Sequence, residues 1–267
     1  MPTTILITGG NRGMNPVPLS CALLIVFTGL GKGLVATYLS TPDTTVIATV
    51  RDLSNSESLS ALPKASGSSL LIVKLEIASA DSIATAIETL KTHNIGALDI
   101  VIANAGISGP TNNLAEAPVA ELQKYIDVNA YGPFELFKAV LSLLRSSSAE
   151  NKAKFVLISS AGGSLTAMYN FMPIPAYGAS KALANFLFKW LALDNKDVII
   201  WAQNPGNVDT DMARDGLELS KSLGFDLSSV RFAAPEESAR AIKNVIDGAT
   251  EKMSGKFLDH DGSGLAW

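Results

Sequence analysis

Short runs of β-branched and aliphatic residues alternate along this 267-residue chain with longer stretches of helical periodicity, and that alternation constrains the fold most. Thr3 to Thr8, Thr45 to Thr49, Leu70 to Lys74, Asp99 to Ala103, Phe155 to Ser159, Val198 to Ala202 and Gly255 to Leu258 read as strands. Helical patterns cover Gly33 to Leu39, Ala80 to Thr92, Ala115 to Leu144, Ala176 to Leu193 and Pro235 to Asp247, several opened by Ser, Asp or Pro. Strand and helix in strict turn require right-handed crossovers, which give a parallel sheet. Uninterrupted apolar strands mean that helices cover both faces, a doubly wound α/β fold. No repeat, low-complexity tract or linker divides the chain, so one domain over 1–267 is expected.

Sheets of this kind bind ligands beyond the carboxyl ends of their strands, where strand order reverses. The segments placed there are Thr8-Gly9-Gly10-Asn11-Arg12-Gly13, Val50-Arg51-Asp52, Leu75-Glu76-Ile77, Asn104-Ala105-Gly106, Ser159-Ser160-Ala161-Gly162 and Asn204-Pro205-Gly206-Asn207-Val208-Asp209-Thr210. Most are small, polar or glycine-bearing, as a nucleotide cradle requires. With a net charge of -4 and no basic block, nucleic acid is excluded as a partner. The apolar stretch Leu19 to Thr28 is too short to span a bilayer, so no membrane is expected. A single cysteine, Cys21, and two scattered histidines, His93 and His260, offer neither a disulfide framework nor a metal site and fit a reducing cytoplasm.

Tyr177 and Lys181 lie four residues apart on the fourth helical stretch, which stacks a phenol beside an ammonium. A lysine charge about 4 Å away at an effective dielectric near 20 favours phenolate by roughly 4 kcal/mol before screening. The phenol is then expected to titrate nearer working pH and to pass a proton.

The glycine segment from Thr8, Asn104-Ala105-Gly106, Asn129 in Asp127-Val128-Asn129, Ser160, the Tyr177/Lys181 pair and Pro205-Gly206 with Thr210 together resemble the short-chain dehydrogenase/reductase family over essentially the whole chain. The ending Gly255-Lys256-Phe257-Leu258 with Asp261-Gly262 and Trp267 looks most like fungal ketoreductases of the norsolorinic-acid type. The resemblance implies a single Rossmann-fold domain with a seven-stranded sheet that reduces a small-molecule carbonyl. Tyr177 would give its proton to the carbonyl oxygen, Ser160 would hydrogen-bond that oxygen, Lys181 would hold the nicotinamide ribose, and Asn129 would anchor a water that restores the proton. Thr8, Gly9, Asn11, Arg12, Gly13, Leu30, Gly31, Arg51, Asn104, Ala105, Gly106, Pro205, Gly206, Val208 and Thr210 would hold the cofactor, with Glu76 and Ile77 beside the adenine. Relatives commonly pair through the two long helices starting near Ala115 and Ala176, so a homodimer or homotetramer is implied.

Ser160 precedes Tyr177 by more residues than is usual in that family, whereas Ser164 has the usual spacing. The strand-end context Val156-Leu157-Ile158-Ser159-Ser160 selects Ser160, and the surplus fits an aromatic loop, Tyr169 to Pro173, over the substrate. A free ribose 2'-hydroxyl prefers an acid at the end of the second strand and a 2'-phosphate prefers arginine. Val50 stands where the acid would lie, Arg51 follows and Arg12 stands in the glycine loop, which favours NADPH over NADH.

One motif is interrupted. The family pattern Thr-Gly-x-x-x-Gly-x-Gly breaks after Gly13, and deleting Met14 to Gly29 restores it by joining Gly13 to Leu30-Gly31. Three readings fit: a translated, unspliced intron; a genuine insertion packed as a plug or partner-binding element; and a loop in which Gly29 substitutes for Gly13. An interruption here removes main-chain donors from the pyrophosphate site, so weak cofactor binding is expected of the full chain. A catalytically silent nucleotide-binding or scaffold protein is the alternative to an enzyme.

Overall fold

The computed structural model describes residues 3–10, 25–26, 28–109, 111, 113–150, 152–168, 173–210, 213–214, 221–222, 224 and 230–267. In chain order the elements are β1 (Thr3–Ile7), β2 (Ile25–Val26), α1 (Thr28–Leu39), β3 (Thr44–Val50), α2 (Glu57–Ser60), β4 (Ser69–Lys74), α3 (Ala80–Thr92), β5 (Ile100–Ala103) and β6 (Ile107–Ser108). They continue with α4 (Val119–Ile126), α5 (Gly132–Arg145), β7 (Lys154–Ile158), α6 (Pro175–Asp194), β8 (Ile199–Gln203), α7 (Pro235–Asp247) and β9 (Phe257–Leu258). Seven strands form one sheet in the order β4-β3-β1-β5-β7-β8-β9, every pairing parallel. The chain therefore winds outward from β1 in one direction, then crosses to β5 and winds in the other. The reversal between β1 and β5 is the switch point where such sheets bind ligands.

Side-chain alternation sorts β1 between two cores. Leu6 enters a cluster with Phe137, Phe155 and Phe188 beneath α3, α5 and α6, while Ile5 and Ile7 enter another with Leu34, Trp201 and Ile242 beneath α1 and α7. Burial on both faces explains why the strands carry no polar alternation. In the first core Phe155 stacks on Phe188 at 5.3 Å and meets Phe137 edge-on at 5.2 Å.

Two features depart from the sequence reading. The stretch read as helical from Ala115 to Leu144 is helical without a break from Val119 to Arg145, but a π turn over Asp127–Tyr131, with Asn129 at its centre, stands between α4 and α5. A single π turn inside a helix carries no residue signature of its own, so the sequence does not disclose it. A second, small sheet pairs β2 with β6 antiparallel, Ile25 opposite Ser108 and Val26 opposite Ile107. Part of the interrupting segment thus lies beside the chain leaving Asn104-Ala105-Gly106.

Candidate active site

Strand β7 ends at Ile158, and Ser160, extended at φ -162° and ψ 145°, caps a tight 3-10 turn over Ala161–Gly163 with its hydroxyl accepting from Gly162 N at 3.1 Å. That turn rests directly on α6. A Cβ on Gly163 would stand 2.8 Å from Lys181 Cβ, and one on Gly178 would stand 2.8 Å from Gly162 O. Helix α6 starts with Pro175 at its first position and presents Tyr177 and Lys181 one turn apart on the same face. The small residues of the turn let the Ser160 hydroxyl come near enough to the Tyr177 phenol to favour its ionised form. Ser164 instead accepts from Ala167 N at 3.0 Å and shapes the loop beyond.

Tyr177 is 5% exposed and Lys181 1%. Burial pushes the phenol up to about 12, which the nearby Ser160 hydroxyl only partly offsets. Burial likewise pulls the Lys181 ammonium down to about 7. The helix spacing implied a phenol shifted towards neutrality, and the structure reverses that sign. Lys181 Nζ lies 5.7 Å from the ring centroid and donates to Ile158 O at 2.9 Å, and loss of water dominates both groups.

Asn129, 1% exposed, ties three elements together. Its Oδ1 accepts from Ile107 N at 2.8 Å, and its Nδ2 donates to Ile107 O at 2.8 Å and to Ser180 Oγ at 2.9 Å. Ser180 Oγ donates onward to Tyr177 O at 2.6 Å. The side chain is a brace between β6 and the turn of α6 that carries the phenol.

At the switch point, Thr8 Oγ1 accepts from Asn104 N at 3.0 Å and from Ala105 N at 2.9 Å, and Asn104 Nδ2 donates to Thr8 O at 2.9 Å. Gly9 has φ +70°, a region open to glycine, and a Cβ on Gly31 would stand 2.1 Å from Gly9 O. Helix α1 starts at Thr28, and a Cβ on Gly29 would stand 2.8 Å from Pro235 Cγ and 3.2 Å from Thr210 Cγ2. Gly29, Leu30 and Gly31 therefore form the helix start that packs on Gly9. Asn11, Arg12, Gly13 and most of the interrupting segment lie outside the described residues, as do Tyr169 to Met172.

Arg51 follows β3, Glu76 and Ile77 follow β4, Gly106 is buried after β5, and Pro205, Gly206, Val208 and Thr210 follow β8. All lie beyond carboxyl ends of the sheet. Asn104 Oδ1 is buried with no hydrogen-bond partner among the described residues. Glycines at a helix N-terminus fit a pyrophosphate, whose oxygens take the free N–H groups, and an unused acceptor beside them fits a sugar hydroxyl of the same dinucleotide. Sequence reasoning missed Ser180 and Asp259. Ser180 lies in sequence between Tyr177 and Lys181, but Asp259, which accepts from Asn204 Nδ2 at 2.8 Å, is brought here only by the chain's last strand.

The family model described as short chain dehydrogenase matches residues 24–218, beginning inside the interrupting segment. A short chain dehydrogenase of Penicillium aethiopicum, gsfK, is 78% identical over 267 residues, covering 100% of both chains. The norsolorinic acid ketoreductase nor1 of Dothistroma septosporum is 38% identical over 274 residues, 99% of this chain and 92% of that one. Among solved structures, an NADPH-bound carbonyl reductase from chicken fatty liver superposes with a TM-score of 0.80 at 26% identity, covering 100% of this chain and 94% of the other. A silent scaffold is not favoured by such relatives. Among the described residues, no helix is long and apolar enough to cross a membrane.

Proposed function

The chain belongs to the short-chain dehydrogenase family of oxidoreductases, and we propose that it reduces a ketone or aldehyde carbonyl with NADPH, Tyr177 serving as general acid. The arrangement that carries this reading is the Ser160 hydroxyl beyond the end of β7, near enough to the Tyr177 phenol of α6 to lower its pKa, next to buried Lys181 and the β1/β5 switch point. NADPH, when bound, supplies the hydride. Thr8, Gly9, Gly29, Leu30, Gly31 and Asn104 to Gly106 would hold its pyrophosphate side, Arg51 its 2'-phosphate, Glu76 and Ile77 its adenine. Pro205, Gly206, Val208 and Thr210 would face the nicotinamide. Charge that develops on the carbonyl oxygen is met by two donors, Ser160 Oγ and Tyr177 OH, already held in place by packed elements. A phenol kept neutral by burial is a proton donor across the working range. Lys181, charged when anionic groups lie near it, stabilises the phenolate left after transfer.

The test is NADPH oxidation with a panel of ketones by the full chain and by the chain lacking Met14 to Gly29. Turnover in either form supports the reading, and no turnover in both overturns it. We further propose that Met14 to Gly29 is a translated, unspliced intron; transcripts that uniformly retain it, with no shorter form, would remove that idea. The exposed Phe186–Trp190 stack on α6, with ring centroids 6.1 Å apart beside Phe134 of α5, supports pairing of two copies through these helices, which light scattering would test.

A further inference from the structure

The segment joining Ser160 to Tyr177 is longer than the family resemblance leads one to expect, and something must hold its extra length. Residues 257–267 do so. After β9 the chain reverses through Gly262, at φ +86°, with Gly262 N donating to Asp259 O at 2.9 Å and Asp259 N to Ser263 O at 2.8 Å. It returns antiparallel, Leu265 N donating to Phe257 O at 2.8 Å and Leu258 bridging Gly264. The resulting hairpin reaches the active-site segment at two points. Asp259 Oδ1 accepts from Asn204 Nδ2 at 2.8 Å, and Asn204 Oδ1 accepts from Ala161 N at 3.0 Å, the residue after Ser160. At the other end of the hairpin, Trp267 O accepts from Thr166 N at 2.9 Å and from Thr166 Oγ1 at 2.7 Å.

The Trp267 ring is fixed in its turn. It lies on Phe257 with centroids 5.5 Å apart, and Lys189 Nζ of α6 stands 4.6 Å from its centroid. Two hydrogen bonds to one carbonyl, backed by a packed indole, make a stiff anchor for Thr166. On either side of Thr166 the segment carries Leu165 and Met168, 69% and 67% exposed, large apolar side chains left mostly open. A hairpin that served only to cover the open side of β9 would need no bond to Thr166 and none relayed to Ala161.

We propose that the 257–267 hairpin is the positioning element of the segment 160–168, with Trp267 as the positioning residue that sets where Leu165 and Met168 stand and so sets the affinity for carbonyl substrates with large apolar groups. The proposal rests on the carbonyl-reductase reading for its kinetic arm and on nothing but the hydrogen bonds for its structural arm. Trp267 acts through Thr166 and touches no reacting atom.

Four variants of the full chain test it: Trp267→Ala, Trp267→Phe, Thr166→Val and Thr166→Ser. Hydrogen exchange is read at the amides of 164–168, and KM and kcat are read with a fused-ring aromatic ketone and a small aliphatic ketone. In W267A and T166V the Thr166 amide is expected to exchange about tenfold faster, because the carbonyl that protects it is no longer fixed. KM for the bulky ketone is expected to rise about fivefold in both, with kcat and the small ketone's KM within about twofold. W267F and T166S restore both readouts. Unchanged exchange at Thr166 in W267A and T166V overturns the anchor. Equal losses for both ketones, or a fall in kcat at constant KM, overturn the specificity role. If the wild-type chain reduces no ketone, the functional reading fails while the exchange experiment still decides on the hairpin.

Discussion

Lys181 makes stability rise with pH over a window where most soluble domains are flat. Its ammonium is pulled down to about 7 by burial, whereas the same group in the unfolded chain titrates at its ordinary value of 10.5. Between those values the unfolded chain holds a proton that the folded chain lacks, so the free energy of unfolding increases with pH. The contribution is fully present above the unfolded value and is lost as pH falls through the folded one. The slope from one such group is about 1.4 kcal/mol per pH unit at mid-window. Over the two units from about pH 7.5 to 9.5 the gain is about 2 to 3 kcal/mol. Tyr177 has the opposite sign: its folded value is raised to about 12 from 10.0, so its contribution is intact below 10 and lost as pH climbs towards 12. The assay is urea unfolding of the wild type and of Lys181→Met at both ends of the Lys181 window. Methionine keeps the stem and removes the titration, so other groups cancel in the difference. The wild type should gain on the variant by about 2 to 3 kcal/mol between the two conditions. A gap that stays constant, or shrinks as pH rises, would refute a desolvated, proton-shedding Lys181.

Other substitutions probe the remaining parts of the site. Tyr177→Phe should lower kcat by about 10²- to 10⁴-fold while leaving NADPH affinity within a few fold, read by steady-state kinetics and fluorescence titration; wild-type turnover would remove Tyr177 as the acid. Gly31→Ala puts a Cβ 2.1 Å from Gly9 O, a clash between two backbones that no rotamer relieves. It should cost about 1 to 3 kcal/mol or more in urea unfolding and abolish cofactor binding, and a variant of normal stability and affinity would contradict the cradle. Arg51→Ala should weaken NADPH by about tenfold or more and leave NADH unchanged, from loss of a charge-assisted bond to the 2'-phosphate. Equal weakening of both cofactors by titration calorimetry would move the 2'-phosphate contact elsewhere.

What the sequence disclosed and what it hid follow from the range of the forces involved. Seven strands and their connections were legible because double burial makes each strand an apolar run, as in Ile100-Val101-Ile102-Ala103, where every residue is buried. The preference for Ser160 over Ser164 rested on where the strand ends, and that end was legible: β7 stops at Ile158, two residues before Ser160. The π turn at Asn129 was hidden, since a single-turn bulge between α4 and α5 has no residue signature comparable to a proline or glycine break. The phenol and ammonium shifts were hidden for a different reason. A charge one helical turn away can be read from spacing, but desolvation depends on what the rest of the fold packs over the pair. The hairpin was hidden because β9 is two residues long and the partners of its loop and end, Asn204 and Thr166, lie 55 and 101 residues upstream.

The interrupted glycine motif joins these strands of reasoning at the cofactor cleft. Lengthening a loop costs little, about 0.6 kcal/mol for each doubling, so a segment added between β1 and α1 leaves the sheet intact. The helix start then needs small residues where it crosses Gly9, and Gly29-Leu30-Gly31 meets that need as Gly13-Leu30-Gly31 would. The two solutions differ in the residue that precedes the first glycine: Thr28 in one, Arg12 in the other. Deleting Met14 to Gly29 joins Arg12-Gly13 directly to Leu30-Gly31, which sets a cation beside the helix start where cofactor phosphates would be held and changes nothing around Ser160, Tyr177 or Lys181. Deleting Met14 to Gly29 should therefore tighten NADPH by at least about tenfold, the worth of one charge-assisted contact, with kcat at saturating cofactor unchanged. A deletion that raised kcat while leaving affinity alone would mean that the segment acts on the chemistry, through the β2–β6 pairing beside Asn129, and not on the phosphates.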